Sequence, residues 1–158
     1  MLGRVTGSAM PVLATGSSVV AFVEGPPKIV ATDPAPGSRV GPGQVGRVLV
    51  AFHKDVSASA SAFTLGGART GAVPVAFAYD RGTATVTLTP AAALGPDEYT
   101  LTVSDSVTDA ASGQALDGEI PGRGGTTALP SGDGQPGGSA SVRFEVTRPV
   151  RRHVNAVR

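Results

Sequence analysis

A tight turn followed by an alternating strand, at Leu94–Val103, is the feature that most limits how this chain can fold. The segment reads Leu-Gly-Pro-Asp-Glu and then Tyr-Thr-Leu-Thr-Val, with apolar residues alternating with threonine. A period of two places successive side chains on opposite faces of a β-strand. A tyrosine that starts such a strand just after a turn is typical of the tyrosine corner in Greek-key sandwiches. Tyr99 is therefore predicted to be a structural residue whose hydroxyl bonds nearby backbone.

The composition favours short strands over helices and excludes several kinds of site. The chain has 158 residues, of which 22 are glycine and 13 are proline, and both types interrupt long helices. A hydrophobic content of 41% is ordinary for a folded domain. There is no cysteine, which excludes disulfides, thiolate zinc sites and a thiol nucleophile. The net charge of +1 gives no reason to expect a nucleic-acid partner.

Alternating segments separated by turn residues predict about seven strands and an all-β, Ig-like Greek-key β-sandwich. The predicted strands cover residues 28–32, 47–52, 62–65, 73–79, 83–89, 99–103 and 139–146. Residues 55–57 are predicted to form one helical turn. The predicted inward-facing side chains are Val48, Val50, Phe52, Val86, Leu88, Tyr99, Leu101, Val103, Val142 and Phe144.

The domain organisation follows from where this pattern begins and ends. Residues 1–25 are an unassigned leader or linker, in which Val19–Val23 could form a strand. A signal peptide is the less favoured alternative there, because glycine, serine and proline interrupt the apolar run. Residues 26–147 are the predicted domain, with a long acidic loop rich in glycine and proline at 104–138. Residues 148–158 are a basic tail predicted to be disordered, and no run approaches the ~20 apolar residues of a membrane span.

Four segments carry a resemblance to a known family. They are Lys28–Gly37, Arg47–Phe52 with the following Asp55-Val56, Thr83–Val103, and Val107–Leu116, in which Gln114 stands where asparagine is usual. Together they resemble the bacterial Ig-like domain of the S-layer-protein type, over residues 26–146.

The resemblance implies a non-catalytic structural or adhesive module of a bacterial cell-surface or secreted protein. Its expected location is extracellular or at the cell surface. Its expected partners are neighbouring domains of a larger surface protein, or an extracellular polymer or protein. Nucleic acid is not among them.

The acidic loop supports an alternative function, a carbohydrate- or protein-binding module whose loop is ordered by calcium. Its candidate metal ligands are the carboxylates of Asp105, Asp109, Asp117, Glu119 and Asp133. Calcium takes 6–8 oxygen ligands, which backbone carbonyls of a glycine-rich loop could complete. The spacing matches no EF-hand, so the competing interpretation is that these residues form turns and carry solubilising charge. No other cofactor is predicted.

The sequence predicts no catalytic residue and no cofactor-binding residue. His53 and His153 are the only histidines, and His153 lies in the tail. His53 is interpreted as a residue at the end of a strand, since no serine and aspartate partners are marked for a triad. Residues 132–137 match G-x-G-x-x-G, but a dinucleotide site requires this motif after a strand and before a helix. Here it precedes a strand and contains Pro136, so we reject it.

Overall fold

Two β-sheets with alternating apolar side chains between them form the fold. The computed structural model describes residues 25–120 and 129–151. Its strands are β1 (Ile29–Asp33), β2 (Arg39–Val40), β3 (Val48–Phe52), β4 (Val56–Ser57), β5 (Phe63–Gly67), β6 (Gly71–Val73), β7 (Val75–Asp80), β8 (Thr85–Pro90), β9 (Asp97–Val103), β10 (Thr108–Asp109) and β11 (Ala140–Val146). A short 3-10 helix at Ala60–Ala62 precedes β5.

The strand order is that of an Ig-like sandwich. One sheet has the order β1-β3-β8-β7, and the other has the order β2-β11-β9-β5-β6. A small two-stranded sheet pairs β10 with β4. Among the described strands, β2 and β11 form the one parallel pair, and the others are antiparallel. The predicted fold class is confirmed.

The core lies between the two sheets and is built from the inward side of each strand. In β9 and β11 every second residue is buried, as the apolar alternation predicts. All ten predicted inward-facing residues belong to one buried cluster. Burying a large apolar side chain contributes about 1.5–3 kcal/mol, so this cluster is the main stabilising feature of the sandwich.

The structure has eleven strands rather than about seven. Four strands of two or three residues, β2, β4, β6 and β10, account for the difference. Segments this short carry no readable period. β2, β4 and β10 pair with partners far along the chain, whereas β6 pairs with the nearby β5 in a hairpin. Val56–Ser57 is therefore strand and not the predicted helical turn, because it pairs with Thr108–Asp109.

Two predicted strands also have different limits in the structure. Pro74 divides the predicted strand at 73–79, and the chain changes sheet at that point, from β6 to β7. Proline has no amide hydrogen to donate, which suits a position between two ladders. The strand predicted at 83–89 begins at Thr85, because Ala84 adopts a positive φ of 50° in the preceding turn.

The ends of the chain fall largely outside the described residues. The predicted leader, with its possible strand at 19–23, lies there up to residue 24, and so does the tail from residue 152. Among the described residues, the helices are too short to span a membrane.

Candidate functional site

The acidic loop that follows β9 is partly ordered by packing on the core. Val107 and Leu116 are fully buried, although the segment around them has no period of two. The Leu116 amide donates to the carbonyl of Val107, at 2.8 Å. Thr108 forms an isolated bridge with Ala115. The first part of the loop is thus a short β-structure that the sandwich holds in place.

Backbone bonds close the turn at the end of β10. The Asp109 amide donates to the carbonyl of Gln114 at 2.8 Å, and the Gly113 amide donates to the carbonyl of Asp109 at 2.9 Å. The side chain of residue 114 is not needed for either bond. The turn therefore forms with glutamine at the position where the family usually has asparagine.

Asp117 is the central residue of the loop. Its side chain is fully buried, and its two carboxylate oxygens accept the amides of Asp133 at 2.9 Å and Gly134 at 2.8 Å. The Nζ atom of Lys28 lies 3.6 Å from the second oxygen. A buried charge is tolerated when it is paired and hydrogen-bonded. Asp117 thus joins two distant parts of the loop to the start of β1.

Ser131 makes a second connection between the loop and β1. Its amide donates to the carbonyl of Ile29, and the Ile29 amide donates to its hydroxyl oxygen, both at 2.9 Å. The hydroxyl in turn donates to the carbonyl of Asp117 at 2.7 Å. Ser131 therefore extends the edge of the β1 sheet by one reciprocal pair of bonds.

Three of the five predicted metal ligands come together. Oxygens of Asp117, Glu119 and Asp133 lie within 4.8 Å of one another, with Asp117 buried and the other two exposed. We call these three residues the acidic cluster. One Asp133 oxygen accepts the amide of Gln135 at 2.9 Å, so part of the cluster's hydrogen-bonding capacity is used within the loop.

The other two predicted ligands lie apart from the acidic cluster. Asp105 is exposed at the turn after β9. Asp109 is buried, and one of its oxygens accepts both the Lys54 ammonium and the Ser112 hydroxyl at 2.8 Å. The bond from Lys54 is the largest influence on the pKa of Asp109. Together with the Ala111 amide and the Ser112 hydroxyl it outweighs burial and holds that pKa well below its usual range.

His53 lies at the end of β3 and is held by the backbone. Its Nδ1 atom accepts the amide of Lys28 at 3.0 Å, and its own amide donates to the Lys28 carbonyl at 3.2 Å. Burial lowers the pKa of the imidazole, and the neighbouring Lys54 ammonium adds to this effect. The ring nitrogen that would accept a proton if His53 acted as a base is thus already occupied by a structural hydrogen bond.

Asp97 is a buried polar residue that the sequence did not single out. Its Oδ2 atom accepts the amides of Arg69 and Thr70 at 2.9 and 2.8 Å, and the Thr70 hydroxyl at 2.8 Å. Its Oδ1 atom accepts the amide of Glu98 at 2.9 Å. Burial alone would raise the pKa of Asp97, but these donors outweigh it and lower the pKa to about 2. An aspartate directly after a Gly-Pro turn is the one sequence signal that could have drawn attention to it.

Tyr99 has the geometry of a tyrosine corner. Its hydroxyl donates to the carbonyl of Gly95 at 2.9 Å. Its ring stacks on that of Phe144, with centroids 5.6 Å apart and an interplanar angle of 22°. The residue is 1% exposed, so it faces the core and not a ligand.

A cleft of about 480 Å³ lies at the end of the sandwich where β1 and β2 meet the loop before β3. Its lining residues are Asp33, Pro34, Val40, Gln44, Val45, Gly46 and Arg47. Gln44 uses its side-chain oxygen to accept the amide of Gly41, at 2.6 Å. The described residues that line the cleft include no histidine, and Asp33 and Arg47 are the only ionisable side chains among them.

Comparison with solved structures supports the fold. CopC from Methylosinus trichosporium OB3b is similar with a TM-score of 0.52 and 11% identity, over 80% of this chain and 99% of that chain. PcoC, a methionine rich copper resistance protein from Escherichia coli, gives a TM-score of 0.45 and 15% identity over 77% and 98%. The S-layer protein rSbsC gives 0.46 and 18%, over 78% of this chain and 14% of that chain. At these identities the likeness to CopC concerns the fold alone.

Comparison with family models identifies the family. No curated protein matches the chain. The model of the family described as "Bacterial Ig-like domain" matches residues 23–120, which include β1 to β10 and both Asp97 and Tyr99. β11, which pairs with β9 along its full length, completes the sandwich beyond that match. The resemblance seen in the sequence is confirmed, and the chain belongs to the bacterial Ig-like domain family.

Proposed function

We propose that this chain is a non-catalytic structural module of a bacterial cell-surface or secreted protein, where it spaces or joins neighbouring domains. The observation that carries the proposal is how the buried polar side chains are used. Among the described residues these are Asp97, Asp109, Asp117 and Ser131. Each is occupied by bonds to the protein's own backbone or side chains. Their role is to hold loops onto the sandwich.

The absence of convergent reactive groups within the described residues is consistent with a non-catalytic role. An enzyme needs a concave site in which a nucleophile, a base and a charge-stabilising group meet. His53 uses Nδ1 to accept a backbone amide, and the described residues that line the cleft beside Asp33 and Arg47 include no histidine, serine or lysine. The family to which the chain belongs also fits a structural module.

The alternative is a carbohydrate- or protein-binding module that uses the loop after β9. A specific observation favours it, namely that both sides of residues 121–128 are anchored. Ile120 and Leu129 pack against the core, and Asp117 and Ser131 fix the loop to β1. Binding residues often lie on loops that a rigid scaffold positions.

A binding screen separates the two functions. The full chain is compared with a variant in which residues 121–128 are replaced by a Gly-Ser sequence of the same length, so that loop closure is unchanged. Both proteins are tested on a glycan array and on purified bacterial cell-wall polysaccharide. A structural module gives the same result for both. Binding that disappears in the variant, with an unchanged melting temperature, would overturn the structural proposal and support the binding module.

A positive test of the structural role measures spacing. The chain is placed between donor and acceptor fluorescent proteins, and energy transfer is recorded for single molecules. A module that separates its neighbours gives one narrow distribution of transfer efficiency, which broadens when the sandwich is unfolded by urea. A broad distribution from the folded protein would contradict the proposed role.

A further inference from the structure

The pair β2–β11 differs from the other described strand pairs of the sandwich because its two strands are parallel. β2 belongs to the first part of the domain and β11 to its last part, yet they lie side by side at one edge of the five-stranded sheet. Arg39 pairs with Glu145 and Val40 with Val146. Because the strands are parallel, the end at which the chain enters β2 and the end at which it leaves β11 are at opposite ends of the pair.

The contact between these strands extends beyond the residues assigned to them. The Gly37 amide donates to the Arg143 carbonyl at 2.7 Å, the Glu145 amide to the Ser38 carbonyl at 2.9 Å, and the Thr147 amide to the Val40 carbonyl at 2.8 Å. The Thr147 hydroxyl also donates to the Val40 carbonyl, at 3.2 Å. These bonds run as a ladder along the pair, from Gly37 to Thr147.

The force that such a ladder of hydrogen bonds can resist depends on the direction in which the two strands are pulled. When the domain is stretched by its two ends, the force acts on the N-terminal end of β2 and on the C-terminal end of β11. These ends lie at opposite ends of the parallel pair. The strands must then slide past each other, so all the bonds of the ladder carry the load together. If both strands are pulled from the same end, the bonds break one after another.

We propose that β2–β11 is a mechanical clamp that sets the force at which the domain unfolds when it is stretched end to end. The inference rests on the proposed function, because only a module that joins other domains is loaded in this way. β1 is loaded before β2, but a register shift between Ile29 and Ala31 interrupts its pairing with β3. The exposed ion pair of Arg39 with Glu145, at 2.8 Å, contributes little, since surface pairs are weak.

Force spectroscopy on the full chain tests the clamp. Because the sequence has no cysteine, a single introduced thiol gives a unique attachment point. One geometry loads the first and last residues of the chain. The other loads the first residue and Ser139→Cys, an exposed position just before β11. The protein and its equilibrium stability are nearly the same in both geometries, and only the direction of loading differs.

The clamp predicts a higher peak unfolding force in the end-to-end geometry than in the Ser139→Cys geometry. Equal forces in the two geometries would overturn it. This comparison changes no residue of the ladder, so it does not depend on a strand variant that fails to fold.

A pair of variants at Thr147 tests the ladder itself. Thr147→Pro removes the amide donor to Val40, whereas Thr147→Val removes only the hydroxyl and is the matched control. Thr147→Pro is expected to lower the end-to-end force and to leave the Ser139→Cys force unchanged, while Thr147→Val changes neither. An end-to-end force that Thr147→Pro does not alter would show that another pair, such as β1–β3, limits unfolding.

The outcomes distinguish this inference from the function on which it rests. If ligand binding depends on the loop and the unfolding force depends on the loading direction, the clamp is supported and the structural role is contradicted. If no ligand binds and the unfolding force is equal in both geometries, the structural role is supported and the clamp is contradicted.

Discussion

The hydroxyl of Tyr99 donates a hydrogen bond of 2.9 Å to the carbonyl of Gly95, four residues earlier in the chain. The bond closes the turn between β8 and β9 against the strand that follows it. The Tyr99 ring, stacked on Phe144 of β11, holds the hydroxyl in place from the core side. One residue therefore connects the turn, the strand and the neighbouring strand.

Replacing Tyr99 with phenylalanine is expected to lower the free energy of unfolding by about 0.5–1.5 kcal/mol, the usual net contribution of one hydrogen bond. The ring and its stacking remain. Urea denaturation measures the difference. Gly95→Ala is the control: Gly95 is outside the left-handed region and an added Cβ meets nothing within 4 Å, so the carbonyl and the bond survive. Equal stability of wild type and Tyr99→Phe would show that the bond contributes nothing.

Replacing Asp97 with asparagine is expected to destabilise the protein at neutral pH and to matter progressively less in acid. The pKa of Asp97 is lowered from 3.8 to about 2 in the folded protein. Between those values the unfolded chain binds more protons than the native state, so stability falls as the pH falls. The contribution of the carboxylate is complete above 3.8 and is lost through a pH of about 2. An asparagine side chain has only one acceptor oxygen, so its NH2 group faces either the donors of Arg69 and Thr70 or the amide of Glu98.

Urea denaturation of wild type and Asp97→Asn across this pH range gives the difference in their free energies of unfolding at each pH. The contributions of the other carboxylates are nearly the same in both proteins and largely cancel in this difference. Glu98→Gln is the matched control, because Glu98 is the adjacent acidic residue and is exposed. It is expected to show little difference from wild type at any pH. A deficit of Asp97→Asn that stays constant down to pH 2 would argue against a titrating carboxylate.

Alanine substitutions at two glycines separate backbone strain from crowding in the acidic loop. Gly132 and Gly134 have nearly equal positive φ angles, +96° and +98°. An added Cβ at Gly132 would overlap the Asp117 carboxylate, whereas at Gly134 it meets nothing within 4 Å. Gly134→Ala should therefore cost only the backbone strain, about 1–3 kcal/mol. Gly132→Ala should cost a further 1–3 kcal/mol or so from overpacking.

Thermal and urea unfolding of both variants measure these costs. Similar destabilisation by Gly132→Ala and Gly134→Ala would show that Asp117 moves aside without penalty. That result would contradict its role as the anchor of the loop.

Calcium is expected to leave the melting temperature unchanged. Asp117 already accepts two backbone amides, and one Asp133 oxygen accepts another. Three of the six carboxylate oxygens of the acidic cluster are thus engaged by backbone amides, so calcium, which takes 6–8 oxygen ligands, would have to compete with these bonds. The measurement compares melting in calcium with melting in a chelator. A melting temperature that is higher in calcium for the wild type but not for Glu119→Gln would instead establish a cation site at the acidic cluster.

The strands with the strongest pattern were predictable because their physics is local. In β3, β8, β9 and β11 the alternation of apolar and polar residues identifies both the strand and its buried face, since a period of two belongs to extended backbone alone. Tyr99 was predictable for the same reason, because the turn and the strand that create its environment are adjacent in sequence. The acidic residues were predictable as a loop but not as separate sites.

The sequence by itself determined the sandwich class, the core residues of the regular strands and the tyrosine corner. Tertiary structure alone decided which acidic residues meet. It placed Asp117 among amides 16 and 17 residues away, Asp109 beside Lys54, and Asp97 beneath the turn at Arg69 and Thr70. It also decided that β2 lies parallel to β11. These contacts depend on how strands from distant parts of the chain are arranged, and a pattern of neighbouring residues carries no record of that arrangement.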